Sequence, residues 1–211
     1  MNRRAFTLAE VLITLGIIGV VAALTLPNLI YNHTKSVVET RLKKVYSTMN
    51  QAVMLAEAEH GDKKDWYEEY PARPLDWYNT YLAKHINSVK VDEDSLGRIT
   101  IYFADGSALV QSSGVLDIRD WLFYPGGNPK KCNYSGRCVF TFLFQPTDTG
   151  PLWVYNYDKG FEPYKYTWKG TEADLYDNSY AGCRTSGHMC SAVIQYNGWK
   201  IPDDYPYKVS Y

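Results

Sequence analysis

Glu10 is the residue whose type and position call for chemistry. It carries the only formal charge between Arg4 and Lys35, and it heads the apolar run from Val11 to Leu26. On insertion scales a carboxylate near the middle of a membrane span costs roughly 2.5–3.5 kcal/mol, so it needs a cationic partner. Arg3 and Arg4, just ahead of the run, hold the extreme N-terminus in the cytoplasm and leave the chain after Pro27 outside. A cut after Ala5 would free an amine on Phe6, four residues before Glu10 and about 6 Å away along a helix axis. The positive end of the helix dipole also favours a carboxylate in the first turns. The same carboxylate could instead reach the amine of a neighbouring subunit, in which case assembly itself supplies the neutralisation. His33, His60, His85 and His188 are scattered, and no serine or cysteine sits in a nucleophile motif, so catalysis is not indicated.

The stretch from Arg3 through Phe6, Glu10, Gly16 and Gly19 to Pro27 resembles the N-terminus of type IV pilins and type II secretion pseudopilins. That resemblance implies a leader of residues 1–5 removed by a prepilin peptidase at Ala5–Phe6, N-methylation of Phe6, and Glu10 as the carboxylate that guides docking into a helical filament. Pro27 falls at the family's helix-bending proline. The sequence departs from the pattern at Ala5, where Gly is usual. The likeness is strong over about the first 30 residues and extends by helix pattern to about residue 60. The ending from Asn197 to Tyr207 also resembles the tails of some pilin-like proteins. Implied partners are the prepilin peptidase, other pilin or pseudopilin subunits and an inner-membrane assembly platform. The implied location is the bacterial cytoplasmic membrane, crossed once with the C-terminal domain outside, and then a periplasmic or cell-surface filament.

Three other readings of the N-terminus compete. A Sec signal peptide would use Val21-Ala22-Ala23 as its cleavage site, but its apolar region gains nothing from Glu10. Asn2 to Leu8 superficially resembles a twin-arginine address, although the run that follows is greasier than such signals carry. An ordinary signal anchor, with Glu10 idle at the interface, would leave an extracytoplasmic binding domain, for carbohydrate for example.

Residues 6–30 form the expected transmembrane and assembly helix, since Phe6 to Leu26 would span about 31 Å as a helix, close to the ~30 Å hydrocarbon core. Residues 31–60 form its amphipathic continuation, in which Val38, Leu42, Val45, Met49, Val53 and Ala56 recur every three or four positions. Lys35, Glu39, Arg41, Lys43, Lys44, Glu57 and Glu59 fall mostly off that stripe. Pro27 removes a backbone donor and crowds the preceding turn, so a kink is expected there, and Gly61-Asp62 is a natural stop. Gly16 and Gly19 permit close helix approach.

Residues 61–211 are long enough for one globular domain with its own core. Asp65 to His85 reads as one or two short helices broken at Pro71 and Pro74. Arg98–Phe103 and Ser107–Gln111 read as a hairpin around Ala104-Asp105-Gly106. Further strands are expected at Val115–Leu122, Val139–Phe144 and Leu152–Tyr157, while Ser191–Tyr196 is open between helix and strand. The expected fold class is α+β, pilin-like: a long kinked N-terminal helix packed on a C-terminal antiparallel sheet. The net charge of −1 comes without any basic block, so no nucleic-acid partner is indicated.

The four cysteines form two local pairs, Cys132 with Cys138 and Cys183 with Cys190. Outside the cytoplasm two local disulfides are favoured among the three pairings. The alternative is a metal site of Cys183, His188 and Cys190 with Cys132 or Cys138, though the spacing matches no standard zinc module. Asp92-Glu93-Asp94 and Asp203-Asp204 lack calcium-loop spacing and read as solvated charge, so neither a metal nor another cofactor is expected. The 19 tyrosines and 6 tryptophans are numerous enough that most must serve as core or half-buried surface, with sugar platforms and subunit interfaces as the other uses.

Overall fold

The computed structural model describes residues 7–69, 73–112 and 118–211. One helix, α1 (Leu8–His60), dominates it; 53 residues at 1.5 Å each make it about 80 Å long. It runs unbroken through Pro27, and it stops where expected, with Gly61 at φ 86° donating its N–H to Glu57 O at 3.0 Å. A positive φ is inexpensive only for glycine, which explains the stop. The upper half carries the anticipated stripe: Val38, Leu42, Val45, Met49, Val53 and Ala56 are all buried, joined by Ala52.

That stripe lies over a six-stranded antiparallel meander in sequence order: β1 (Ser88–Glu93), β2 (Ile99–Phe103), β3 (Ala108–Gln111), β4 (Asp120–Tyr124), β5 (Phe140–Phe144) and β6 (Phe161–Pro163). The register stacks Ile101, Leu109, Phe123 and Phe140 on one face, with Trp121 beside Phe142 and Phe144 beside Phe161. All of these side chains are buried in the core shared with α1. Helix α1 meets this domain at β6, at a π-turn (Tyr78–Leu82) and at α5 (Cys190–Tyr196).

Between α1 and the sheet lie α2 (Lys63–Glu69) and α3 (Pro74–Trp77), the latter with Pro74 in its first turn, where a missing N–H costs nothing. The Pro71 break falls outside the described residues, as do positions 115–117 of the strand expected at Val115–Leu122, whose observed counterpart, β4, begins at Asp120. The hairpin of β2 and β3 and the β5 strand are where the sequence put them. Leu152–Tyr157, expected as a strand, is instead a series of turns. Its amides turn inward to near neighbours, Trp153 N–H to Gly150 O and Asn156 N–H to Trp153 O, which leaves no ladder for a strand. Ser191–Tyr196 resolves as helix, inside α5.

Both sheet edges are managed. At β1 the register slips between Ser88 and Lys90, and Lys90, Asp92 and Glu93 decorate the strand, a bulged and charged edge that discourages further pairing. At β6 the edge is closed by a side chain. The Asn50 amide on α1 donates to Phe161 O at 2.8 Å and accepts from Phe161 N–H at 3.0 Å, taking the place of the next strand. Gly160 permits this approach, since a Cβ there would collide with Asn50 Oδ1.

A second, smaller core holds Leu175, Tyr176, Ala181, Met189, Ala192 and Val193 around α4 (Glu172–Asp177) and α5. The cysteines pair locally, with Cα separations of 5.9 Å for Cys132–Cys138 and 4.5 Å for Cys183–Cys190.

Candidate assembly site

The helix that carries Glu10 begins at a capping box. Thr7 is the N-cap, with extended backbone (φ −79°, ψ 152°), and its hydroxyl accepts from Glu10 N–H at 3.3 Å. The Glu10 carboxylate reaches back to accept from Thr7 N–H and from the Thr7 hydroxyl, both at 2.8 Å. Helix starts leave four unpaired N–H groups, a heavy liability in hydrocarbon, and the box satisfies some of them. The Thr-x-x-Glu spacing was readable as this motif in the sequence, and Thr7 is the site residue that charge alone missed. Ala5 and Phe6 lie outside the described residues, so the cleavage point is located only by its nearness in sequence to Thr7.

From Leu8 to Ile30 nearly every side chain of α1 is exposed, Leu8 at 77% and Leu24 at 73%. The segment is long and apolar enough to cross a membrane. Its hydroxyls bond within the helix, Thr14 to Val11 O and Thr25 to Val21 O, each at 2.9 Å, so neither is left unpaired on the apolar surface. A Cβ on Gly16 or Gly19 would meet nothing within 4 Å, so both positions present bare backbone to whatever packs beside them.

The bare half of the helix is tied to the domain by polar contacts along its upper half. Glu39, which the amphipathic pattern put off the buried stripe, is only 6% exposed. Its carboxylate accepts from Ile201 N–H at 2.9 Å and from Lys200 Nζ at 2.8 Å, clasping the C-terminal segment. Arg41 donates to Pro125 O and Asp105 O. Lys44 donates to the Asp105 carboxylate at 2.8 Å. Burial alone would raise the Asp105 pKa, but donors from Lys44 and Ser107 outweigh it and hold the carboxyl down to about 2. Tyr46 donates to Glu162 at 2.9 Å; burial, and then the Glu162 charge, push its hydroxyl up to about 12.

The other candidate clusters are engaged elsewhere. Cys183 and Cys190 are bonded to each other, and His188 Nδ1 lies 3.3 Å from Thr141 Oγ1, so the zinc arrangement is replaced by a disulfide and a neutral contact. Burial pushes the His188 pKa down. Asp92 pairs with Lys90, Asp94 with Arg98, Asp203 with Lys35, and Asp204 with Tyr176 and Arg184.

Residues 28–209 match a family of unknown function (DUF6613), and residues 1–26 match the prokaryotic N-terminal methylation motif. The chain belongs to that family and is a prepilin-type protein of the type IV pilin and pseudopilin class. No curated protein and no solved structure matches it. The two matched regions abut at Pro27, and α1 runs through the junction.

Proposed function

We propose that the chain is a structural subunit whose leader, residues 1–5, is cut by a prepilin peptidase at Ala5–Phe6, and whose mature form enters a type IV pilus or type II secretion pseudopilus. The observation that carries this reading is Glu10, a lone carboxylate at the head of an exposed apolar helix. In the precursor the Thr7 cap hydrates it in effect, with two donors at 2.8 Å. Cleavage then creates an amine on Phe6 within reach of the same carboxylate, or of that of a neighbouring subunit. Pairing removes an insertion cost that reaches roughly 2.5–3.5 kcal/mol at mid-span and is smaller at the head of the helix, and if the partner is the neighbour the gain exists only in the filament. Methylation of Phe6 keeps that amine cationic. Pro27 is the point at which the span can bend on leaving the membrane, and Gly16 and Gly19 allow neighbouring spans to approach. Residues 6–30 thus anchor and assemble, 31–60 carry the domain, and 61–211 form the outer surface of the filament, periplasmic or at the cell surface. The assembly platform and other pilin-class subunits are the remaining partners.

The test is Glu10→Ala in the native host. Membrane insertion should be unchanged or improved while the fraction of subunits in sheared filaments falls at least tenfold. Normal filament entry by this variant would refute charge pairing as the source of assembly.

A further inference from the structure

Tyr180 is an exposed aromatic that the fold goes to some length to hold still. Tyr180 is 64% exposed, yet its amide and the next one, on Ala181, both bond the Asn178 side chain at 3.1 Å. The Tyr180 ring stands edge-on to Tyr166 at 5.4 Å between centroids, and Tyr166 rests on Trp153 at 4.4 Å. Asn178 is buried and is itself held by Thr167 and Asp174. Behind it, Gly182 lets the chain double back, since a Cβ there would sit 2.6 Å from Tyr176 O, and the Cys183–Cys190 bridge closes the loop. None of this rigidity serves the main core, because α4 and its flanks lie in the second cluster.

The held ring forms one wall of a cleft of about 370 Å³ whose lining includes Tyr166, Lys169, Asp177, Ser179 and Tyr180. That volume lies in the range of about 300–1,000 Å³ typical of small-molecule sites. Among the described residues, the Ser179 hydroxyl, the Lys169 ammonium and the two tyrosine hydroxyls have no hydrogen-bond partner, which leaves donors and acceptors of both kinds at the rim. The charged groups lining the cleft are of both signs, the Lys169 ammonium and the Asp174 and Asp177 carboxylates; Asp177 pairs with Arg184, and Asp174 accepts from the Lys169 amide and the Asn178 side chain. A fixed aromatic face beside unengaged hydroxyls, with charges of both signs and no cluster of one sign, suits a ligand with an apolar face and many hydroxyls better than an ion.

We propose that this cleft binds a neutral saccharide, with Tyr180 as the stacking platform for the C–H face of a sugar ring and Ser179 and Lys169 as hydrogen-bond partners to its hydroxyls. Preorganisation lowers the entropy cost of binding, so the interaction requires no change in the domain. The site lies on the globular domain and does not depend on the N-terminal helix entering a filament.

The test uses the full chain in micelles of a non-glycosidic detergent, titrated with cellohexaose, chitohexaose and maltohexaose up to about 10 mM while tryptophan fluorescence and saturation-transfer NMR are followed. At least one of the three should bind, Tyr180→Ala should weaken it about tenfold or more, and Tyr180→Phe should stay within about threefold because the ring is kept. Tyr134→Ala, which removes an equally exposed tyrosine from another loop, should bind as the parent does. Absence of binding by all three sugars, or a Tyr180→Ala variant that binds within about threefold of the parent while its far-UV spectrum is native, would overturn the proposal.

Discussion

The clasp at Glu39 yields the sharpest stability prediction. Glu39→Ala removes two acceptors from a side chain 6% exposed and leaves the amide of Ile201, a residue only 3% exposed, without a partner. A hydrogen bond to a charged group is worth about 1.5–3 kcal/mol, and a stranded buried N–H costs about 1–3 kcal/mol; these overlap, so the expected loss is about 3 kcal/mol. The other partner, Lys200, has a side chain 73% exposed, so its ion pair is screened and Lys200→Ala should cost under about 1 kcal/mol. Glu39→Gln keeps one carbonyl acceptor for Ile201 and should fall between them. Denaturant unfolding can be read at Trp199, which lies 4.9 Å from the Tyr46 ring on the same helix. Exchange of the Ile201 amide should accelerate in Glu39→Ala and stay slow in Lys200→Ala. If Lys200→Ala destabilises as much as Glu39→Ala, or Glu39→Ala costs less than about 0.5 kcal/mol, the buried-acceptor reasoning fails.

Three further outcomes follow from the same contacts. Gly160→Ala should displace the Asn50 amide from the β6 edge, at about 2 kcal/mol for two hydrogen bonds, and Asn50→Ala in the same background should then add little, as a double-mutant cycle in denaturant would show. Asp105 has a folded pKa of about 2, below the ordinary aspartate value, so its contribution is full above about pH 4 and is lost as pH falls toward 2. That contribution is at most about 2 kcal/mol, and acid titration of Asp105→Asn should lack this part of the pH dependence. Reducing the Cys183–Cys190 bridge, or replacing both residues by Ser, should cost about 2–3 kcal/mol for so short a loop and loosen the Tyr180 segment, while thiol alkylation of the untreated chain should label none of the four cysteines.

What the sequence made legible is what repeats locally. The stripe from Val38 to Ala56 follows a 3.6 period, so the face of α1 that meets the sheet was readable, and the β2–β3 hairpin was marked by alternation around Asp105-Gly106. Glu10 stood out because charge is rare in an apolar span. The misses have physical causes. β1 reads as a polar loop because Ser88–Glu93 carries the charges that protect an edge, and β6 is only three residues long and ends in Pro163. Leu152–Tyr157 has strand composition, but strand propensity needs a partner, and the β6 edge is already closed by Asn50. Glu39 looked like a solvent-facing charge since its partners lie some 160 positions away. The Tyr180 cleft was hidden for the same reason: abundance of tyrosine says nothing about which ring is held.

Intact-mass and N-terminal fragment analysis of the protein isolated from its native membrane bears most directly on the proposal. A chain that begins at Phe6, heavier by one methyl group on its amine, is the predicted result. Material that keeps Met1, or that begins near Leu24 as a Sec signal would leave it, would contradict a buried acid that acquires its cation by cleavage.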